Sequence, residues 1–236
     1  MGPDVYSKLL LRIEQIKISQ TCLGEGIGGK VFLGYIPAAT ALSNAKSSDE
    51  RADGIRVAVK VLGQNTGPST DESTSRLQSA LLEARLHARL SHPNVVQLLG
   101  VQEARQPVML ALEYCEHGSL RDLLRTTAGQ RRFNLIQRQD MAAQVAAGLR
   151  YLHSKLCVHR DVAARNVLVA SGGVSCPPCG YAVKLGDLGL ARQLRPESDY
   201  YTVRISIIGD GAQLYRHRCF RLTLLLLLNA SSPLFS

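Results

Sequence analysis

The run Gly24-Glu25-Gly26-Ile27-Gly28-Gly29-Lys30-Val31 constrains this chain most, because of what flanks it. Residues 16–25 alternate apolar and polar side chains and predict a strand, and residues 30–36 predict the strand that returns. Glycines in such a turn either let backbone approach a phosphate with no Cβ in the way or simply make a tight hairpin. A dinucleotide-binding fold would open a helix after the same glycine spacing, and this loop leads into a strand instead.

The hairpin opens a small sheet. In residues 55–62, Ile55, Val57, Val59 and Val61 share one face, with Ala58 and Lys60 on the other. Polar stretches at 37–54 and 63–75 read as loops. Residues 76–90 predict a helix with Leu82, Leu86 and Leu90 as its apolar stripe. Residues 95–99 and 108–113 predict two more strands. After Gly118 the pattern turns helical, most clearly at 140–153, where Met141, Val145, Leu149 and Leu152 form one stripe. Short strands follow at 167–170 and 181–185. A sheet with one helix, then a mostly helical part, predicts a two-lobed α+β arrangement with its boundary near 114–118.

Lys60 on an otherwise apolar strand is costly unless it meets an anion. Glu83 is the natural partner, at the edge of the predicted helix stripe; the alternative is a lysine snorkelling to the sheet rim. The run His159-Arg160-Asp161-Val162-Ala163-Ala164-Arg165-Asn166 follows the long helix, and Asp187-Leu188-Gly189 follows the next strand pair. An aspartate able to take up a hydroxyl proton, with an Asn and an Asp offering hard oxygens to magnesium, is the set that phosphoryl transfer requires.

With these motifs in this order, residues 16–204 resemble the eukaryotic protein kinase family. The resemblance implies ATP and Mg²⁺ as cofactors. It implies that Gly24, Gly26 and Gly29 cover the phosphates, that Leu23 also contributes to the cofactor site, and that Lys60, held by Glu83, binds the α- and β-phosphates. Asp161 would be the catalytic base, with Asn166 and Asp187 as the magnesium ligands. Leu112-Glu113-Tyr114-Cys115 resembles the gatekeeper and hinge, where backbone groups of Glu113 and Cys115 meet adenine, and Val31, Ala58 and Leu168 would sandwich the ring. Ala163-Ala164-Arg165-Asn166 resembles the tyrosine kinase branch, with Arg165 reaching toward the phosphate and Asp161. Asp199-Tyr200-Tyr201 resembles the paired tyrosines of receptor-type activation loops, whose phosphates would pair with Arg160.

Further implications are protein tyrosine substrates, a kinase dimer partner or a chaperone, and a location that is cytoplasmic or the intracellular part of a receptor. The implied division is an N-lobe at 16–113, a hinge and partial C-lobe at 114–204, and a tail outside the family pattern at 205–236.

Several positions depart from that pattern. Gly28 stands where the family often has an aromatic, Leu188 replaces the phenylalanine of the Asp-Phe-Gly motif, and residues 171–181 lengthen a hairpin. Cys176-Pro177-Pro178-Cys179 offers two zinc ligands where four are needed, and reads as a loop. After Arg204 the sequence lacks the Ala-Pro-Glu tripeptide and the helices beyond it, and the chain holds no tryptophan. A helical lobe left incomplete after the activation loop is the expectation, with apolar surface of the 140–153 helix exposed.

Composition narrows the partners. The 28 basic residues exceed the 19 acidic ones, for a net charge of +9. The basic residues are scattered and not interleaved with aromatics, which argues against nucleic acid as a partner. Six irregularly spaced cysteines read as reduced thiols. The apolar run at 222–228 is far shorter than the ~20 residues a membrane-spanning helix needs, so no membrane segment is expected within the chain.

Overall fold

Ile55–Leu62 is the middle strand of a five-stranded sheet, and its alternation decides what lies on each face. The computed structural model describes residues 9–10, 15–26, 29–37, 54–62, 70–103, 107–125, 133–172, 180–194, 204–205 and 213–214. The sheet comprises β1 (Lys17–Gly26), β2 (Gly29–Ile36), β3 (Ile55–Leu62), β4 (Leu98–Gln102) and β5 (Val108–Glu113), with helix α1 (Thr70–Ala88) between β3 and β4. Spatially the order is β1-β2-β3-β5-β4, with every neighbouring pair antiparallel.

Val57, Val59 and Val61 share a buried cluster with Ile36, Leu99, Met109 and Ala111. A second cluster gathers Leu98, Val101, Val108 and Leu110 with Ala80, Ala84 and Ala88 of α1. A fully buried valine or leucine contributes about 1.5–3 kcal/mol, so these two layers hold the sheet and helix together. At the tip of the β1–β2 hairpin, Gly29 has φ +119°, and a Cβ there would collide with the Val61 carbonyl, so only glycine fits. Gln102 of β4 is wholly buried, and neither atom of its side-chain amide has a hydrogen-bond partner among the described residues.

Helix α1 corrects two expectations. It begins at Thr70, inside the stretch read as a loop, and Leu82 is 61% exposed rather than buried. Leu86 is half-buried and Leu90 is buried just past the helix end. Leucines four apart drift by about 40° per step at 3.6 residues per turn, so the three do not form one line. The face turned inward is alanine-rich, flanked by half-buried Leu77 and Leu81. The strand expected at 95–99 is likewise found three residues later, as β4.

The chain divides into two compact units. One holds the described residues up to Ser91 together with Gln97–Tyr114; the other holds His92–Val96 and the described residues from Cys115 onward. The second contains α2 (Leu120–Arg125), α3 (Leu135–Ser154), β6 (Cys157–Val158), β7 (Val167–Ser171), β8 (Tyr181–Leu185), β9 (Arg192–Gln193), β10 (Arg204–Ile205) and β11 (Gln213–Leu214). Strands β7 and β8 pair antiparallel, as do β6 with β9 and β10 with β11.

Helix α3 starts five residues before the expected position because Asn134 and Gln137 form a capping box, each side chain satisfying the other's backbone N–H. Met141, Val145, Leu149 and Leu152 are all buried. Its exposed large apolar residues are Leu135 and Ile136 in the first turn, and Ala143 is exposed further along. The apolar surface that this helix leaves to solvent is therefore smaller than expected. Among the described residues no helix is long and apolar enough to cross a membrane.

Candidate active site

In the first unit, strand register places the lysine. Lys60 stands opposite Leu110 across β3–β5, and Leu110 belongs to the cluster containing Ala80 and Ala84 of α1. The Lys60 side chain therefore points toward that helix. Its Nζ donates to Glu83 Oε1 at 2.8 Å, with the two side chains only 7% and 9% exposed. Val31 lies opposite Lys60 across β2–β3, Ala58 lies opposite Leu33, and both Val31 and Ala58 are half-buried. Leu23 is 40% exposed on β1, and Gly26 pairs with Gly29 at the turn.

At Gly24 a Cβ would meet nothing within 4 Å, so packing does not require a glycine there. Bare backbone without a packing reason fits a strand that a phosphate approaches. The Glu113 N–H donates to the Gln97 carbonyl at 2.9 Å, and Glu113 Oε2 accepts from the Gln97 N–H at 3.2 Å.

In the second unit the groups gather locally. Arg165 Nη2 donates to Asp161 Oδ1 at 2.6 Å, while Asn166 Nδ2 donates to Asp161 Oδ2 at 2.8 Å and to its carbonyl at 2.9 Å. The short 3₁₀ turn Ala164–Asn166 sets this geometry by bringing both donors back over the aspartate. His159 is buried beneath it. Its Nε2 lies 2.9 Å from the Gly186 carbonyl and its Nδ1 accepts the Asp161 N–H at 3.3 Å, which assigns the ring proton to Nε2. Burial pushes the His159 pKa below the ordinary histidine value, in keeping with a neutral ring.

The β7–β8 register brings the metal-ligand candidates together. Val167 pairs with Leu185 at one end of the hairpin, and just beyond them the Gly186 N–H donates to the Asn166 carbonyl at 2.8 Å. Asp187 follows with φ +53° and ψ +74°, a left-handed conformation rare for a non-glycine residue, and its side chain is exposed. Asn166 uses its amide nitrogen on Asp161, which leaves the amide oxygen as the atom it could offer to a cation. One amide oxygen and one carboxylate suit magnesium, which keeps waters and phosphate oxygens in its shell.

The protein tyrosine and serine/threonine kinase family profile matches residues 17–207. The chain belongs to that family. Members of this kinase family generally use ATP and Mg²⁺. Similar proteins include a fibroblast growth factor receptor of Hydra vulgaris, 31% identical over 199 residues, or 81% of this chain and 21% of the relative. The tyrosine-protein kinase FRK of Homo sapiens is 40% identical over 50% of this chain and 22% of its own length. The ephrin type-A receptor 7 of Gallus gallus is 44% identical over 55% of the chain and 12% of its own length. The chain thus spans about a fifth or less of these relatives. Among the described residues, the five-stranded antiparallel sheet and the few helices agree with an incomplete two-lobed kinase fold.

Leu168 is half-buried on β7, opposite Lys184, and Cys115 is buried. Tyr200, Tyr201 and the Cys176–Cys179 stretch lie outside the described residues, as do the side chains of the tail. Among the described residues, Cys22, Cys115 and Cys157 are in no disulfide, and burial raises the Cys157 pKa to about 11. Sequence reasoning overlooked His159 as the support of Asp161. Its signal was available: a histidine two residues before the aspartate, in a segment otherwise entering a strand.

Proposed function

We propose that this chain transfers the γ-phosphate of ATP to tyrosine in protein substrates, with residues 16–113 and 114–204 as its two lobes. The observation that carries the reading is the Asp161 carboxylate, held on one oxygen by Arg165 and on the other by Asn166. A carboxylate fixed on both sides is oriented to take the phenol proton as the tyrosine oxygen bonds to the γ-phosphorus and ADP leaves. Magnesium, when bound, neutralises charge on the phosphate oxygens, and Asn166 and Asp187 are the residues that would hold it. Lys60, fixed by Glu83, would bind the α- and β-phosphates, with adenine against the backbone of Glu113 and Cys115 and between Val31, Ala58 and Leu168.

The tyrosine preference is supported by Ala163-Ala164-Arg165-Asn166 and by tyrosine-protein kinases among the similar proteins. Tyr200 and Tyr201 would be regulatory, their phosphates pairing with Arg160. The irregular spacing of the six cysteines supports a reducing compartment such as the cytoplasm. The deciding experiment is label transfer from γ-labelled ATP to a tyrosine-containing polypeptide, with Asp161→Asn alongside. Transfer by the wild type that the substitution abolishes is the expected result. Nucleotide binding without transfer by the wild type would make the chain a non-catalytic fragment that occupies the partners of a larger kinase.

A further inference from the structure

Among the described residues no strand covers one edge of β8, yet its backbone groups there are paired. The Val183 N–H donates to Gln144 Oε1 at 2.8 Å, and the Tyr181 carbonyl accepts from Gln144 Nε2 at 3.0 Å. The Val183 carbonyl accepts from Asn94 Nδ2 at 2.9 Å. Further along, the Leu185 N–H donates to the Asn94 carbonyl at 2.9 Å, and the Leu185 carbonyl accepts the Val96 N–H at 2.8 Å. One side chain of α3 and the segment His92–Val96 together stand in for a third strand of the β7–β8 sheet.

Gln144 is the part of this edge that chain-fold geometry does not supply. It sits among the buried residues of α3, 8% exposed, between Met141 and Val145. Its Oε1 also accepts from Asn94 Nδ2 at 3.1 Å, and its Nε2 also donates to Asp140 Oδ2 at 2.9 Å. Only a primary amide offers both the acceptor and the donors this position uses. Gly148, one turn further along α3, permits the approach: a Cβ there would lie 2.5 Å from the Asn94 carbonyl.

The strand held in this way ends at Leu185 and leads into Gly186 and Asp187. Because the Gly186 N–H meets the Asn166 carbonyl at the same end, the register of β8 fixes where Asp187 stands relative to Asn166. We propose that Gln144 is a positioning residue for the magnesium ligands, acting by holding the free edge of β8 so that Asn166 and Asp187 keep their spacing. The metal half of this proposal rests on the kinase reading above; the edge-holding half does not.

The test compares the 236-residue chain with Gln144→Met, Gln144→Glu and the double variant Gln144→Glu/Asp140→Asn. Deuterium exchange over residues 181–187 reads the strand edge. Binding of a fluorescent non-hydrolysable ATP analogue, with and without Mg²⁺, reads the ligand pair. In Gln144→Met, exchange is expected to rise roughly fivefold or more, the equivalent of one net hydrogen bond, and half-saturating Mg²⁺ to rise by a similar factor. Binding without Mg²⁺ should stay unchanged. Gln144→Glu places two carboxylates together and should behave alike; adding Asp140→Asn removes that repulsion but leaves the Tyr181 carbonyl without a donor, so it should recover the readouts only in part.

Wild-type exchange in Gln144→Met overturns the proposal. So does an equal loss of nucleotide binding with and without Mg²⁺, the mark of a purely structural role. Failure of the wild type to bind nucleotide at all would sink the kinase reading and the metal half with it, while the exchange comparison still decides the edge.

Discussion

Two ion pairs stand where this family handles charge, and they are built in opposite ways. Lys60 and Glu83 are 23 residues apart and meet at 2.8 Å, with 7% and 9% of their side chains exposed. Arg165 and Asp161 are one helical turn apart and meet at 2.6 Å, with 40% and 19% exposed. The first pair exists only if β3, β5 and α1 have all assembled. The second needs one 3₁₀ turn. A dry pair therefore reports on the fold and punishes the loss of either partner, whereas a wet pair can hold and release charge at little cost in stability.

The largest expected effect tests whether the wet pair carries the chemistry. Asp161→Asn should lower phosphotransfer by roughly a hundred- to ten-thousandfold, the range of a lost general base, while the thermal midpoint stays near wild type. Steady-state label transfer measures it, and retained activity would end the proposed role.

The dry pair should answer differently. Lys60→Met leaves Glu83 buried without its lysine, and should cost about 3–5 kcal/mol in denaturant unfolding. Adding Glu83→Leu should restore most of that loss. If the single variant unfolds like wild type, the pair is not dry in solution.

Gln102 extends the same logic to a neutral group. Its amide is buried without a described partner, so Gln102→Met should stabilise the chain by about 1–3 kcal/mol, read from the shift in the unfolding midpoint. Destabilisation would show that the amide has a partner after all.

The pH dependence sharpens the comparison in the second unit. Burial lowers the pKa of His159, and burial with neighbouring Arg150 and Lys184 lowers that of His92. Their contribution is complete above the unfolded value of about 6.5 and is lost as pH falls from there toward the folded pKa. Each such histidine changes stability by at most about 1.4 kcal/mol per pH unit. Thermal unfolding at pH 7.5 and 5.5 should show the loss on the acid side; a gain would contradict the buried neutral ring. The smallest effect belongs to Arg165→Ala, which should cost less than about 1 kcal/mol in the same unfolding measurement even as it impairs transfer. A cost like that of Lys60→Met would erase the distinction between the pairs.

The wet pair was legible through the family resemblance of the run Ala163–Asn166, and it needs only one local turn to form. The dry pair was legible only as an open choice, since a strand's alternation says which face Lys60 occupies but not what covers that face. The inward face of α1 was misread for a related reason. Leucine dominates a hydrophobicity pattern, but close approach of a helix to a sheet favours small residues, and Ala80, Ala84 and Ala88 are the ones packed there. The bound at residues 95–99 was displaced because the apolar residues on either side of Gln97 carry no mark of where pairing changes; Val95 bridges to Leu185, whereas Leu98 begins β4. Strands β6 and β9 are two residues each, too short for any period. Gln144 was the hardest to see, since its meaning lies in the strand edge it faces.

Because Asn166 and Gly186 meet at the end of the β7–β8 hairpin opposite its connection, sequence separation and spatial separation are independent there. Residues can be gained or lost between Ser171 and Tyr181 without moving Asn166 or Gly186, since the register is fixed at the strand ends. A lineage can thus experiment with that connection as a tether or an address for other molecules while the chemistry it hangs from stays still.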